Sequence, residues 1–116
     1  MLYIRKNRNA LDLQKKICNS DNYGVDLNRN YGYMWGYNDL GSTGWEDVCR
    51  DDYRGPSAFS EPETRAIRDL IEKWANIKIA INLHAYGNML VVPFNYDDQV
   101  NAKLNSEFPN AAALYD

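Results

Sequence analysis

From Ser60 onward the apolar positions fall into regular order. In "SEPETRAIRDLIEKW", residues 60–74, Ile67, Leu70, Ile71 and Trp74 recur at helical spacing, with Arg65, Arg68, Asp69, Glu72 and Lys73 on the other side. That is the pattern of a surface helix with one buried face. Ser60 with Glu63 three residues on makes a capping box, and Pro62 sits in the first turn, where its missing N–H costs little. After a short turn at Asn76, "IKIAINLHAYG", residues 77–87, alternates and then turns apolar, with β-branched residues at 77, 79 and 81. This predicts a strand. "NMLVVPFNY", residues 88–96, predicts a second extended run, and Pro93 puts its later part at a sheet edge or outside the sheet. The end, "SEFPNAAALYD", starts as another helix and stops in mid-pattern.

Residues 17–59 show little periodicity and are dense in Gly, Asn, Asp, Ser and Tyr. They read as long irregular structure with short extended pieces, and a loop region of this length in a compact domain is more often functional than idle. A helix followed by a strand suggests an α/β layer architecture. Met1 begins without a capping or turn signal, so both ends read as cut.

The chain has 116 residues, 45% hydrophobic and 25% charged, the composition of an ordinary globular protein. No run of apolar residues is long enough to span a membrane. The net charge is −3 and the basic residues are scattered apart from Arg5, Lys6, Arg8 and the pair Lys15–Lys16, which argues against a nucleic-acid surface. Residues 1–20 contain no secretory signal pattern. Two cysteines, Cys18 and Cys49, allow one bridge around the segment between them or two free thiols.

Several residues could carry chemistry, and each has a plainer role open to it. The only histidine, His84, falls at the end of the predicted strand, where α/β proteins tend to place ligands. It could equally be satisfied by a neighbouring backbone group. One histidine does not make a catalytic zinc site, which needs three protein ligands, and no H-x-x-E, H-E-x-x-H or C-x-x-C pattern occurs. In "GVDLNRNYGY", residues 24–33, Asn28 and Arg29 could clamp a carboxylate, since a guanidinium is a planar fork and a flanking amide adds a donor. Alternatively, Arg29 pairs with Asp26 or another nearby acid. Arg5 alone reads as a solvated base, and the cluster Tyr31, Tyr33, Trp35 and Tyr37 as loop packing or as a binding platform. There is no G-x-S-x-G to support a serine nucleophile.

In order along the chain, three segments resemble the zinc carboxypeptidases of the A and B type. "GVDLNRNY" is similar to that family's Asp-x-Asn-Arg-Asn segment. "CRDDYRGPSAFSEPET" resembles its Cys-x-x-x-Tyr-x-Gly stretch leading into a helix, and "NLHAYGNMLVVPFNY" its strand carrying His-x-Tyr and then Pro-aromatic. The resemblance implies part of a mixed-sheet α/β/α fold, incomplete in this chain, with residues 1–116 as the middle third of a catalytic domain. It implies a metallocarboxypeptidase that removes C-terminal residues from peptides or proteins with a free C-terminus. It further implies that Asn28 and Arg29 bind the terminal carboxylate, that Tyr86 lines the subsites beyond the scissile bond, and that His84 is one zinc ligand. Arg5 in "IRKNR" would stabilise the oxyanion. A Cys18–Cys49 bridge, and with it an extracellular or secretory compartment, follows from the same likeness.

The family's His-x-x-Glu ligands and its general-base glutamate match no position in these 116 residues. The chain alone is therefore expected to be inactive. Two other readings are a non-catalytic protein that recognises peptide C-termini, and an unrelated α/β module that binds through the aromatic cluster.

Overall fold

The computed structural model describes residues 5–9, 12–19, 22–88 and 91. The chain divides into two compact units, Met1–Lys78 and Ile79–Asp116. The first contains helix α1, Asp12–Ile17, then three 3₁₀ turns, Leu27–Arg29, Tyr37–Asp39 and Trp45–Asp47, and helix α2, Pro62–Lys73.

Polar side chains hold the first unit together as much as apolar ones do. Its apolar core is Val25, Val48 and Tyr53, with Cys18 and Cys49 packed against it. Buried beside them are Lys6, Gln14, Asp26, Asn30, Thr43, Glu61 and Thr64. Irregular backbone buried in this way must find partners for its N–H and C=O groups, and these side chains supply them. Gln14, fully buried on α1, donates through Nε2 to the carbonyls of Gly24 (3.1 Å) and Val48 (2.9 Å). Lys6 places its ammonium on three carbonyls, Asn22 at 2.7 Å and Val48 and Arg50 each at 3.0 Å.

Burial pushes the Lys6 ammonium below its ordinary pKa, against the opposing pull of Asp51, Asp47, Asp26 and Asp52. Lys6→Met keeps the stem and strands the carbonyls. We expect it to cost about 2 kcal/mol of unfolding free energy, read from a urea transition; an unchanged midpoint would refute the staple role.

Two backbone crossings complete the unit. Asn7 N donates to Val25 O and Val25 N to Asn7 Oδ1, both at 2.9 Å, which lays residues 5–9 alongside 24–26. Gly24 permits this approach: its φ is +97°, and a Cβ there would fall 1.8 Å from Asn7 O. Thr43 and Tyr53 form a single parallel bridge, with Thr43 N on Asp52 O at 3.1 Å and Arg54 N on Thr43 O at 3.0 Å. Cys18 and Cys49 are joined by a disulfide, with Cα atoms 5.3 Å apart.

Helix α2 begins at Pro62, as the proline's place in the first turn suggests, but the capping box is not formed. The N-cap is Glu61, whose side chain makes no cap bond. Ser60 is committed elsewhere, donating to Glu61 Oε1 at 2.7 Å and accepting from Asn30 at 2.8 Å. The helix's expected buried face is not buried either: Ile67, Leu70, Ile71 and Trp74 are each about half exposed, and Thr64 is its one buried residue among those described. The sequence pattern also gave no signal for α1.

The expected strand over 77–87 is absent. No strand is formed among the described residues, so the mixed sheet is not formed there. A strand needs a ladder partner, and the alternation of Ile79, Ile81 and Leu83 leaves all three exposed instead. The second extended run, apart from Asn88 and Val91, and the C-terminal helical pattern lie outside the described residues.

Candidate functional site

The arginine-asparagine segment is built on a buried carboxylate. Asp26 caps the 3₁₀ turn Leu27–Arg29 with an extended backbone, and its Oδ1 accepts from Asn28 N at 3.1 Å. Its own N–H donates to Tyr53 O at 2.8 Å, which ties the cap to the core. Its second oxygen gathers two arginines. Arg5 donates to Oδ2 through Nε (2.9 Å) and closes an ion pair with it through Nη2 (2.8 Å), and Arg29 Nε lies 3.6 Å from the same atom. Arg29 thus pairs with Asp26 by charge, and its Nε has no hydrogen-bond partner among the described residues.

Asn30 anchors the other end of the turn. Fully buried, it shares the two hydrogens of Nδ2 among Arg54 O (2.9 Å), Ser57 O (3.0 Å) and Ser60 Oγ (2.8 Å). Its Oδ1 accepts from Glu61 N (3.2 Å) and Thr64 Oγ1 (2.7 Å), and its backbone carbonyl accepts from Phe59 N (2.7 Å). The turn is therefore clamped to the first turn of α2, with Asn28 exposed and Arg29 half-buried between two fixed ends. Glu61, buried at the same junction, accepts from Asn7 Nδ2 (2.7 Å) and Asn9 Nδ2 (2.8 Å), which draws in the segment carrying Arg5.

Arg5 also lines a cavity of about 500 Å³ whose other walls include Asn22, Asp47, Arg50, Asp51 and Asp52. Burial alone would raise the Asp52 carboxyl, but the Thr43 hydroxyl and Arg50 hold it below its ordinary value. The aromatic cluster does not act as one platform. Trp35 turns inward, donating Nε1 to Arg54 O at 3.2 Å beneath the Arg54 guanidinium, and Tyr31 meets the edge of Phe59. Tyr33 and Tyr37 are exposed.

His84 and Tyr86 belong to the second unit. His84 is exposed, with Nε2 3.2 Å from Asn82 Nδ2, and Tyr86 is 98% exposed. Among the described residues no three His, Cys, Asp or Glu side chains are grouped so as to hold a metal ion. A catalytic zinc needs three protein ligands, so these residues do not by themselves make a metal centre. The structure thus brings Arg5 and Arg29 together on one carboxylate. Asp26, read from sequence only as a possible partner, and Asn30, given no role from sequence, do the positioning. The Asp-x-Asn-Arg-Asn spacing was the available signal for both.

The guanidiniums of Arg5 and Arg29 thus meet at one buried carboxylate. Residues 3–116 match the family model described as zinc carboxypeptidase. The chain is 38% identical over 96 residues to mast cell carboxypeptidase A of Homo sapiens, covering 82% of this chain and 22% of that protein. It is 37% identical over 79 residues to carboxypeptidase B of Helicoverpa zea (67% and 18%), and 39% over 75 residues to zinc carboxypeptidase A 1 of Drosophila melanogaster (64% and 16%). The chain belongs to the zinc carboxypeptidase family, whose fold class is α/β. It spans about a fifth of the length of these curated relatives.

Proposed function

We propose that this chain supplies the substrate-end clamp of a zinc-dependent metallocarboxypeptidase, an enzyme that removes C-terminal residues from peptides. The observation that carries the reading is the convergence of Arg5 and Arg29 on Asp26 Oδ2 beside an exposed Asn28. The half-buried Arg29 guanidinium beside the exposed Asn28 amide is a fork that suits a peptide's terminal carboxylate. Arg29 and the Asn28 amide hold that carboxylate, which fixes how far the last peptide bond lies from the reacting centre. Arg5 takes the developing charge on the scissile carbonyl oxygen. In the same reading His84 would be one ligand of the zinc, which when bound would supply Lewis-acid chemistry, and Tyr86 would serve the subsites beyond the scissile bond.

The mixed-sheet α/β/α fold of the family, with residues 1–116 as the middle third of a catalytic domain, completes this proposal. So does an extracellular or secretory compartment, which the Cys18–Cys49 disulfide favours. Among the described residues no helix is long and apolar enough to cross a membrane.

Calorimetric titration tests the clamp. A short N-acetylated peptide with a free C-terminus is expected to bind, and its C-terminal amide to bind far more weakly. Arg29→Ala should reduce affinity for the free acid by roughly ten- to a hundredfold, the worth of a charge-assisted hydrogen bond. Equal binding of acid and amide would sink the reading. Binding without cleavage by the zinc-loaded protein at the full length its gene encodes would favour a carboxylate-recognising protein that is not an enzyme.

A further inference from the structure

We infer that the Leu40–Gly41 peptide bond is a processing site for an endoprotease that cuts after apolar side chains, and that the cut yields a two-chain form joined by Cys18–Cys49. This holds whether or not Arg29 binds a carboxylate.

The bond lies in a segment that opens easily. None of residues 31–42 is buried. Trp35, Tyr37, Asp39 and Leu40 each donate a backbone N–H to a carbonyl of the same loop, those of Gly32, Met34, Gly36 and Tyr37. Met34, Asn38 and Asp39 hold φ at 51°, 48° and 53°, a region that side chains other than glycine disfavour. Opening breaks local, solvated bonds and relieves that strain, so its free-energy cost is low. Arg54 clasps the loop through Asp39 at 2.6 Å, but the Asp39 side chain is 72% exposed and a pair so placed is weak. The inward contacts of Tyr31 with Phe59 and of Trp35 with Arg54 O lie upstream of the bond and need not break.

Within this loop Leu40 is already presented. Its side chain is 75% exposed and its backbone extended, with φ −97° and ψ 147°. A Cβ on Gly41 would meet nothing within 4 Å, so the space after the bond is open. A cleft that takes a peptide as an extended strand can receive Leu40 with little rearrangement, and exposed loop tips are where chains are nicked. No lysine or arginine occurs between Arg29 and Arg50, so proteases that cut after basic residues have no target in this loop. The protease must read an apolar side chain.

Both flanks of the loop are fixed. Asn30 is clamped to Arg54, Ser57, Ser60, Glu61 and Thr64, while Thr43 N donates to Asp52 O and Arg54 N to Thr43 O. In the cut, water gives its hydroxyl to the Leu40 carbonyl carbon and a proton to the Gly41 nitrogen. Arg5, Asp26 and Arg29 then belong to one piece and the partners of Asn30 to the other, with the disulfide as a covalent link between them.

The test is brief digestion of the protein at the full length its gene encodes by chymotrypsin, which cuts after aromatic residues and leucine, with the products weighed. Within residues 1–116 the first cut should end one piece at Leu40 and begin the next at Gly41. The two should remain bridged until reductant is added, and the nicked, unreduced protein should keep the urea midpoint of the intact one. Leu40→Asn, a change at an exposed side chain, should lose that cut. A first cut elsewhere in these residues, or an undiminished one in Leu40→Asn, overturns the site. Resistance of the folded protein, with the urea-unfolded protein readily digested, shows the loop covered and overturns it too. A nicked protein that unfolds before reduction overturns the two-chain form.

Discussion

Asn30→Ala is expected to lower the free energy of unfolding by about 3 to 5 kcal/mol, the largest effect of any single substitution considered. The truncation removes donors to Arg54 O, Ser57 O and Ser60 Oγ and an acceptor for Glu61 N and Thr64 Oγ1. Each net hydrogen bond is worth only about 1 kcal/mol, but a buried group left without a partner costs more than the bond contributed. Asn30→Asp separates the two halves of the argument. It keeps the acceptor toward Glu61 N and turns the donor side into an oxygen facing two carbonyls, so it should be no better than alanine near neutral pH. Urea unfolding followed by tryptophan fluorescence measures both. A loss under about 1 kcal/mol for either would mean that water replaces the side chain and that the junction is not dry.

Opening the Cys18–Cys49 disulfide should cost about 3 to 4 kcal/mol, for a sequence separation of 31 residues. The loop it closes contains the Asp26 cap, the clamp and the wall bearing Asp47, so the unfolded chain loses freedom where the site needs order. Cys18→Ala with Cys49→Ala avoids leaving free thiols, and comparing it with the parent protein under oxidising conditions isolates the cross-link. Equal urea midpoints would show that the bridge contributes nothing to equilibrium stability. Because both sulfurs pack against Val25, Val48 and Tyr53, part of the loss will be lost packing. Cys18→Ser with Cys49→Ser, which buries two hydroxyls, should be worse.

The motifs were legible in the sequence; the means of support were not. The Asp-x-Asn-Arg-Asn run by itself left Arg29 open to a carboxylate clamp or to a pair with Asp26, the clamp being what the family resemblance implied, and the structure shows the pair. Pro62 marked the start of α2 because a proline there loses nothing. The buried residues were hidden because hydrophobic patterning looks for apolar side chains, and this core is closed by Gln14, Asn30, Lys6 and Asp26 instead. Their partners are backbone groups far along the chain, 34 residues away for Gln14 and Val48 and 44 for Lys6 and Arg50. Local pattern carries no trace of such pairings. The capping box failed for the same reason, since Ser60 answers to Asn30 rather than to its own helix. The strand over 77–87 has the right alternation, but alternation specifies a face, and pairing requires a neighbouring chain segment.

Lys6 grips the loop through the carbonyls of Asn22, Val48 and Arg50, not through their side chains. Every residue type offers that same oxygen. Asn22 and Arg50 also stand on the wall of the cavity next to Arg5. Their side chains can therefore be exchanged by mutation without loosening the grip beneath them, and the lining of that cavity can diversify between descendants of this sequence while the framework around Asp26 is inherited unchanged.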